Sequence, residues 1–179
     1  DHRDLHSFPT RRSSDLRQGR QDLDRDIPEA IVPKGYIVRE LAGVEELPSR
    51  SWCSWKAFHP YEPDEKYEGW IWYRNIQAAP MYNRELDIVA LAPDGEIASF
   101  TTVWYDEISN TAYFDPVGTH PDHQRKGLAL ACITEGLRRA KKLGCQKAFL
   151  EGHSEAAKAL YNKAGFHDFD MQEPWVKFL

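Results

Sequence analysis

Between Leu86 and Thr119 three apolar, β-branched runs, LDIVALA, IASFTTVWYD and TAYFDPVGT, are separated only by the short turn signals PDGE and EISN. Connections that short join antiparallel neighbours, because a parallel return needs a dozen residues or more. The middle of the chain is therefore committed to an antiparallel meander. The period then changes. GLALACITEGLRRAKKLG puts Leu130, Ile133, Leu137 and Ala140 on one helical stripe, with basic residues near its end and Gly144 as the stop. QKAFLE reads as a short buried strand, and SEAAKALYNKAG as a helix capped at Ser154 and closed by Gly165. Upstream, YIVREL is strand-like, and GVEELPSRSWCSWKAFH and DEKYEGWIWYRNIQAA predict helices carrying Trp52, Trp55, Trp70 and Trp72. Their spacing predicts core positions for most of these tryptophans. A meander followed by helix, strand, helix and a last strand predicts an α+β fold with a mixed, mostly antiparallel central sheet flanked by helices.

Two N-terminal stretches stand apart from this pattern. Residues 1–16, DHRDLHSFPTRRSSDL, have no hydrophobic period and match, codon by codon, a reading frame of a common sequencing-library adapter. They are expected to be a translated artefact, disordered, with the natural chain starting at an unseen point upstream. Residues 17–35 are charged and punctuated by proline, which predicts a linker into one domain spanning 36–179. Setting aside residues 1–16, with three Arg and three Asp, leaves the net charge at -5. An acidic chain without a basic stripe excludes nucleic acid as an expected partner and mildly favours a cationic one such as an amine. Cys53, Cys132 and Cys145 are odd in number and lack C-x-x-C spacing, which predicts neither a disulfide framework nor a zinc knuckle and points to a reducing cytoplasm. No apolar run approaches the length of a membrane span.

The chemistry concentrates where strand gives way to helix. HPDHQRKGLALA places Gln124, Arg125, Lys126, Gly127, Leu128 and Ala129 at a helix start, where successive amides can turn outward and hold a pyrophosphate at the positive end of the helix dipole. Gly127 permits close approach, and Arg125 and Lys126 add charge without a metal. The Walker pattern is absent, so nucleotide hydrolysis is not expected; a diphosphate carrier is. Other motifs have plainer readings. His120-Pro121-Asp122 spells the tripeptide of J-domain co-chaperones, but a strand precedes it here, and His120 with His123 lacks a third ligand at metal spacing. Gly152-His-Ser154-Glu-Ala156 imitates a hydrolase nucleophile elbow, yet too little chain follows to supply the acid and histidine, so Ser154 reads as a helix cap. Cys132 reads as core rather than nucleophile.

VGTHPDHQRKGLA, followed some thirty residues later by EAAKALYNKAGF, resembles the GNAT superfamily of N-acetyltransferases. The Q/R-x-x-G-x-G/A acetyl-CoA motif appears as Gln124, Gly127 and Ala129, and an A-x-x-L-Y-x-x-x-G-F element as Ala157, Leu160, Tyr161, Gly165 and Phe166. The stretches ELDIVALAPDGEIASF and FDPVGTHPDHQRKGLA are similar to the C-terminal half of tandem members such as mycothiol synthase, which implies a first domain before this one. The resemblance implies acetyl-CoA as co-substrate, no metal, and a small-molecule or peptide amine as acceptor, attacked directly in a ternary complex. It implies that Val117, Gly118 and Thr119 pair with the pantetheine arm, that amides from Arg125 to Ala129 hold the pyrophosphate, and that Tyr161 protonates the departing thiolate. Where the family often has Asn seven residues before that tyrosine, this chain has Ser154, whose hydroxyl can still bond the carrier. Where it often has a Glu base eleven residues before the Gln, this chain has Tyr113; Asp115, on the same face, is the expected base, with Glu107 and Asp106 as fallbacks. A non-catalytic acyl-CoA-binding or partner-docking module is the alternative, and monomer and homodimer both remain open.

Overall fold

A computed structural model describes residues 16–152 and 154–172. Of the stretch 1–16 only Leu16 is among them, and the C-terminal WVKFL lies outside the described residues. The described strands form one sheet in the order β2-β3-β4-β5-β6-β1-β7. The meander is built from β2 (Ile37–Glu40), β3 (Asp87–Leu91), β4 (Ile97–Asp106) and β5 (Thr111–Thr119), each antiparallel to the next. β5 pairs in parallel with β6 (Lys147–Gly152), and the connection between them is the fifteen-residue helix α3 (Leu128–Lys142). α4 (Glu155–Lys163) then leads to β7 (His167–Gln172).

The stretch 17–35, expected as a linker, contributes a strand instead. β1 (Leu16–Asp22) lies between β6 and β7, antiparallel to both. Its sequence LRQGRQD shows no apolar alternation because backbone ladders on both edges hold it. Its buried Gly19 lies against Leu150 and Phe166, and Leu23 just beyond it is buried in the core. The second predicted helix is also shorter than its sequence suggested. Asp64–Lys66 forms a single 3-10 turn, and α2 is confined to Ile71–Gln77.

Helices cover both faces. α3 and α4 lie over a core of Val103, Phe114, Ile133, Leu137, Leu150 and Phe166, while α1 (Leu47–Phe58) and α2 close a second core of Leu47, Cys53, Tyr73, Val89 and Phe100. Three of those four tryptophans are not core: Trp52 and Trp55 stack at 5.5 Å in a half-buried cluster with Tyr67, and Trp72 is 45% exposed, whereas Trp70 is partly buried against the second core. The core beneath α1 holds a charge pair in their place. Arg50 and Asp87 are both fully buried, with Nε and Oδ1 3.6 Å apart and the guanidinium 3.6 Å from the Phe100 ring centroid. Tyr73 and Tyr82 donate to the same carboxylate at 2.9 and 3.0 Å.

Candidate active site

Pairing between β5 and β6 runs from Thr111↔Lys147 to Phe114↔Leu150 and ends there. Pro116 has no N–H to continue the ladder, and β6 ends at Gly152. The two strands therefore part at Asp115 and Glu151, in the middle of the sheet. On its other edge β5 stays paired with β4, Thr101↔Val117, Phe100↔Gly118 and Ser99↔Thr119. Asp115 and Pro116 together face the single residue Thr102, which is a bulge. Bulges beside functional sites re-aim side chains and end pairing. The result is a cleft whose one wall is the backbone of Val117, Gly118 and Thr119. The Ser99 hydroxyl pins that wall, donating to the Gly118 carbonyl at 2.8 Å and lying 2.8 Å from the Thr119 hydroxyl.

The wall leads directly into the glycine turn. Pro121–His123 makes one 3-10 turn, and Gln124 reaches back with its amide 3.5 Å from the Thr119 carbonyl. The backbone then takes left-handed conformations at Arg125, φ 62°, and Gly127, φ 84°. The first intrahelical bond of α3 is Ala131 N–H to Gly127 C=O at 3.0 Å, so the amides of Leu128, Ala129 and Leu130 precede it. Among the described residues no backbone carbonyl takes the amides of Arg125, Lys126 or Gly127. A Cβ built on Gly127 would meet nothing within 4 Å, so open space fronts these donors. Leu128 is buried and anchors the helix start. The exposed Lys126 rests on the Tyr36 hydroxyl and the Asp122 carbonyl, both at 3.1 Å, and the exposed Arg125 beside it leaves a second cation at the rim. Unpaired amides, a helix N-terminus and two cations fit a pyrophosphate. A groove of about 460 Å³ between residues 21–28 and the end of α4 has a mixed lining instead, with Asp22, Asp24 and Asp26 beside Arg25 and Lys163.

Tyr161 comes to the cleft from α4. Its ring lies against the end of β6, where a Cβ on Gly152 would sit 2.8 Å from Cε2 and 3.3 Å from the Ala157 Cβ. Burial first, and then the charge of Asp115, push the phenol up to about 12. The Asp115 carboxyl is in turn raised, by desolvation first and then by Glu151, although the residue keeps solvent contact. The Trp104 indole donates to the Asp115 carbonyl at 2.7 Å and fixes the bulge. Ser154 caps α4 by accepting from the Ala157 amide at 3.1 Å, which leaves its own proton free to donate.

Val117, Gly118 and Thr119 thus run along β5 from Asp115 towards the turn 124–129, and the charge of Asp115 reaches Tyr161, so these groups are gathered towards one end of β5. The fallback bases are not. Asp106 caps the β4–β5 turn through Ile108 N–H and Ser109 O–H, and Glu107 lies in that turn, about 13 Å along the strand from the splay. His123 Nδ1 and the Tyr36 hydroxyl share a hydrogen bond at 2.9 Å, and no group of three metal-binding side chains occurs among the described residues. His153 of the elbow-like motif lies outside the described residues. Cys132 is fully buried with its thiol pushed up to about 12, a core group rather than a nucleophile. The sequence reading missed Glu151 and Gln18. Gln18 Nε2 donates to Glu151 Oε1 at 3.0 Å, a contact between β1 and β6 across 133 positions that no local pattern encodes.

The family model described as Acetyltransferase (GNAT) family matches residues 44–166. The mycothiol acetyltransferase of Streptomyces coelicolor is 30% identical over 171 residues, covering 88% of this chain and 52% of that protein. A GCN5-related N-acetyltransferase from Sphaerobacter thermophilus superposes with a TM-score of 0.72 at 20% identity, covering 92% of this chain and 54% of that one. The ribosomal-protein-S18-alanine N-acetyltransferase of Escherichia coli superposes with a TM-score of 0.58 at 22% identity, covering 75% and 79%. The chain spans about half the length of the first two.

Proposed function

The chain belongs to the acetyltransferase (GNAT) family, and from that membership we propose that it transfers the acetyl group of acetyl-CoA to a primary amine by direct attack in a ternary complex. The observation that carries this reading is the parting of β5 from β6 beside the unpaired amides of the 124–129 turn. Acetyl-CoA supplies an activated thioester. The unpaired edge of Val117, Gly118 and Thr119 binds its extended arm as a further strand would, and the amides from Arg125 to Ala129 receive the pyrophosphate with Arg125 and Lys126 at the rim. Gln124 braces the turn against β5, and Ser154 fixes the start of the helix that carries Tyr161.

Asp115 acts on the acceptor. An amine of pKa about 10.4 is almost wholly protonated at pH 7, and removing its proton costs about 4 to 5 kcal/mol. Asp115, directly or through water, takes that proton and passes it to solvent. Its raised pKa brings it closer to working pH, where a base is more effective. As the C–N bond forms and the C–S bond breaks, the Tyr161 phenol donates a hydrogen bond to the sulfur, and the departing thiolate takes up the second proton lost by nitrogen. A pure sensor of acyl-CoA would need neither group.

Thermal shift with acetyl-CoA, followed by thiol release across a panel of amines, tests the reading. The panel includes amines related to the acceptor of the mycothiol acetyltransferase relative. Stabilisation with release of one thiol per acetylated amine is expected. Stabilisation with no release from any amine would favour a non-catalytic binding module, and no stabilisation would count against both.

A further inference from the structure

We propose that Tyr36, tied to His123, is the positioning residue that presents the Lys126 ammonium to the diphosphate of the acyl carrier. The inference deepens the reading of the 124–129 turn as the acetyl-CoA cradle and rests on it. Its own ground is a set of contacts that reach the turn from a distant part of the sequence. Tyr36 stands one residue before β2, at the end of a turn with Gly35 at φ 88° and its own amide donating to the Pro33 carbonyl at 3.1 Å. From there its ring packs against the core cluster that holds Ile88, Ala98, Leu128 and Cys132. Its hydroxyl reaches further, to His123 Nδ1 at 2.9 Å and Lys126 Nζ at 3.1 Å, 87 and 90 positions away. The two rings of Tyr36 and His123 meet edge-on at 5.8 Å, and Lys126 Nζ lies 5.7 Å from the Tyr36 ring centroid, within the reach of a cation–π contact. One side chain thus joins the 3-10 turn at Pro121–His123 to the glycine turn while resting on the core that anchors the start of α3.

The tie matters because the segment it spans is both strained and charged. Arg125, next to Lys126, has φ 62°, a left-handed conformation that a residue with a β-carbon keeps only where its surroundings hold it. Lys126 is exposed and long, and a lysine left free gives up rotamer freedom when it meets an anion. Here that ordering precedes the ligand. An ammonium carries three N–H donors. One goes to the Tyr36 oxygen and one to the Asp122 carbonyl, both at 3.1 Å, which leaves the third for an oxygen of the diphosphate. Both partners are neutral, so the positive charge is presented rather than cancelled. The Asp122 carboxylate lies 3.8 Å from His120 Nδ1. A cation fixed in this way favours a donor with a diphosphate over one that carries the same thioester arm without it.

The test compares acetyl-CoA with S-acetylpantetheine, which keeps the thioester arm and lacks the diphosphate. Calorimetry on the full chain gives the acetyl-CoA Kd, and thiol release with the amine that the wild-type protein acetylates fastest gives kcat and KM for both donors. Tyr36→Phe keeps the ring on the core and removes only the hydroxyl. Its acetyl-CoA Kd and KM should rise by about 2- to 12-fold, the range for ordering one rotamer-rich side chain on binding, with kcat at saturation unchanged. Its kcat/KM with S-acetylpantetheine should match the wild-type value, because that donor gives Lys126 no diphosphate to hold. In a Lys126→Met background the same Tyr36→Phe change should cost no further acetyl-CoA affinity, the non-additivity of two groups that act through one contact. His123→Asn, whose amide can stand where Nδ1 stood, should keep most of the affinity that His123→Ala loses. An acetyl-CoA Kd unchanged in Tyr36→Phe would overturn the brace. Equal losses with the two donors, or an undiminished loss in the Lys126→Met background, would also overturn it, by making Tyr36 a support of the fold alone. Absence of acetyl-CoA binding by the wild-type protein would instead remove the acetyl-transfer reading beneath the inference.

Discussion

Tyr161→Phe removes one hydroxyl and keeps the ring that packs against Gly152, so the helix and the cleft wall should stay in place. The phenol, pushed up to about 12, is neutral at any working pH and always has its proton to give. A thiol such as that of CoA has a pKa near 8.5, about 3.5 pH units lower, so complete transfer from phenol to a free thiolate would be uphill by about 5 kcal/mol. The phenol therefore stabilises the sulfur as a hydrogen-bond donor while charge builds on it, rather than by surrendering its proton outright. Hydrogen bonds to charged groups contribute about 1.5 to 3 kcal/mol, so kcat should fall by about 10- to 150-fold, toward the lower end of the range typical of general acids. The acetyl-CoA Kd should change by less than about twofold, since ground-state binding uses the turn and the strand edge. Single-turnover thiol release at saturating acetyl-CoA measures the first quantity, and calorimetric titration the second. An unchanged turnover per folded molecule would refute the donor role. A loss of affinity in step with an earlier melt would make Tyr161 structural.

Three other substitutions probe the framework. Gly127→Asp should abolish acetyl-CoA binding by calorimetry, because a carboxylate would enter the open space before the amides; the left-handed φ of 84° should also cost about 1 to 2 kcal/mol of stability, and unchanged affinity would place the cradle elsewhere. Gly152→Ala, whose methyl would collide with the Tyr161 ring, should lower kcat while sparing acetyl-CoA affinity, and wild-type kcat would show that the ring position is immaterial. Arg50→Ala leaves Asp87 buried without its cation and should cost about 3 to 5 kcal/mol, read as a fall of about 1 M or more in the urea midpoint, whereas a midpoint within about 0.3 M of wild type would deny the pair a structural role.

The parts of this molecule that read correctly from sequence are those written locally. Short turns fixed the meander, the stripe of Ile133, Leu137 and Ala140 fixed α3, and Ser154 with Gly165 bracketed α4. The strand-to-helix turn at 124–129 and the place of Tyr161 on α4 were legible for the same reason, each belonging to a contiguous motif. β1 was not, because RQGRQD has no apolar face and is a strand only through ladders with β6 and β7, more than a hundred residues away. Helical spacing misled on Trp52, Trp55 and Trp72, which are half-buried or exposed, while Arg50, a residue expected outside, fills the core with Asp87. Glu151 escaped notice because its contact with Gln18 of β1 leaves no trace in spacing along the chain.

Amide chemical-shift mapping with acetyl-CoA tests the central claim most directly, at a chain mass of 20.7 kDa that suits the method. The account predicts saturable shifts concentrated at Val117, Gly118 and Thr119 and at the amides from Arg125 to Leu130, with Gly152 and Tyr161 next in size. Saturable shifts centred instead on the groove of residues 21–28 and 163–167, or no saturable shifts at all, would contradict it.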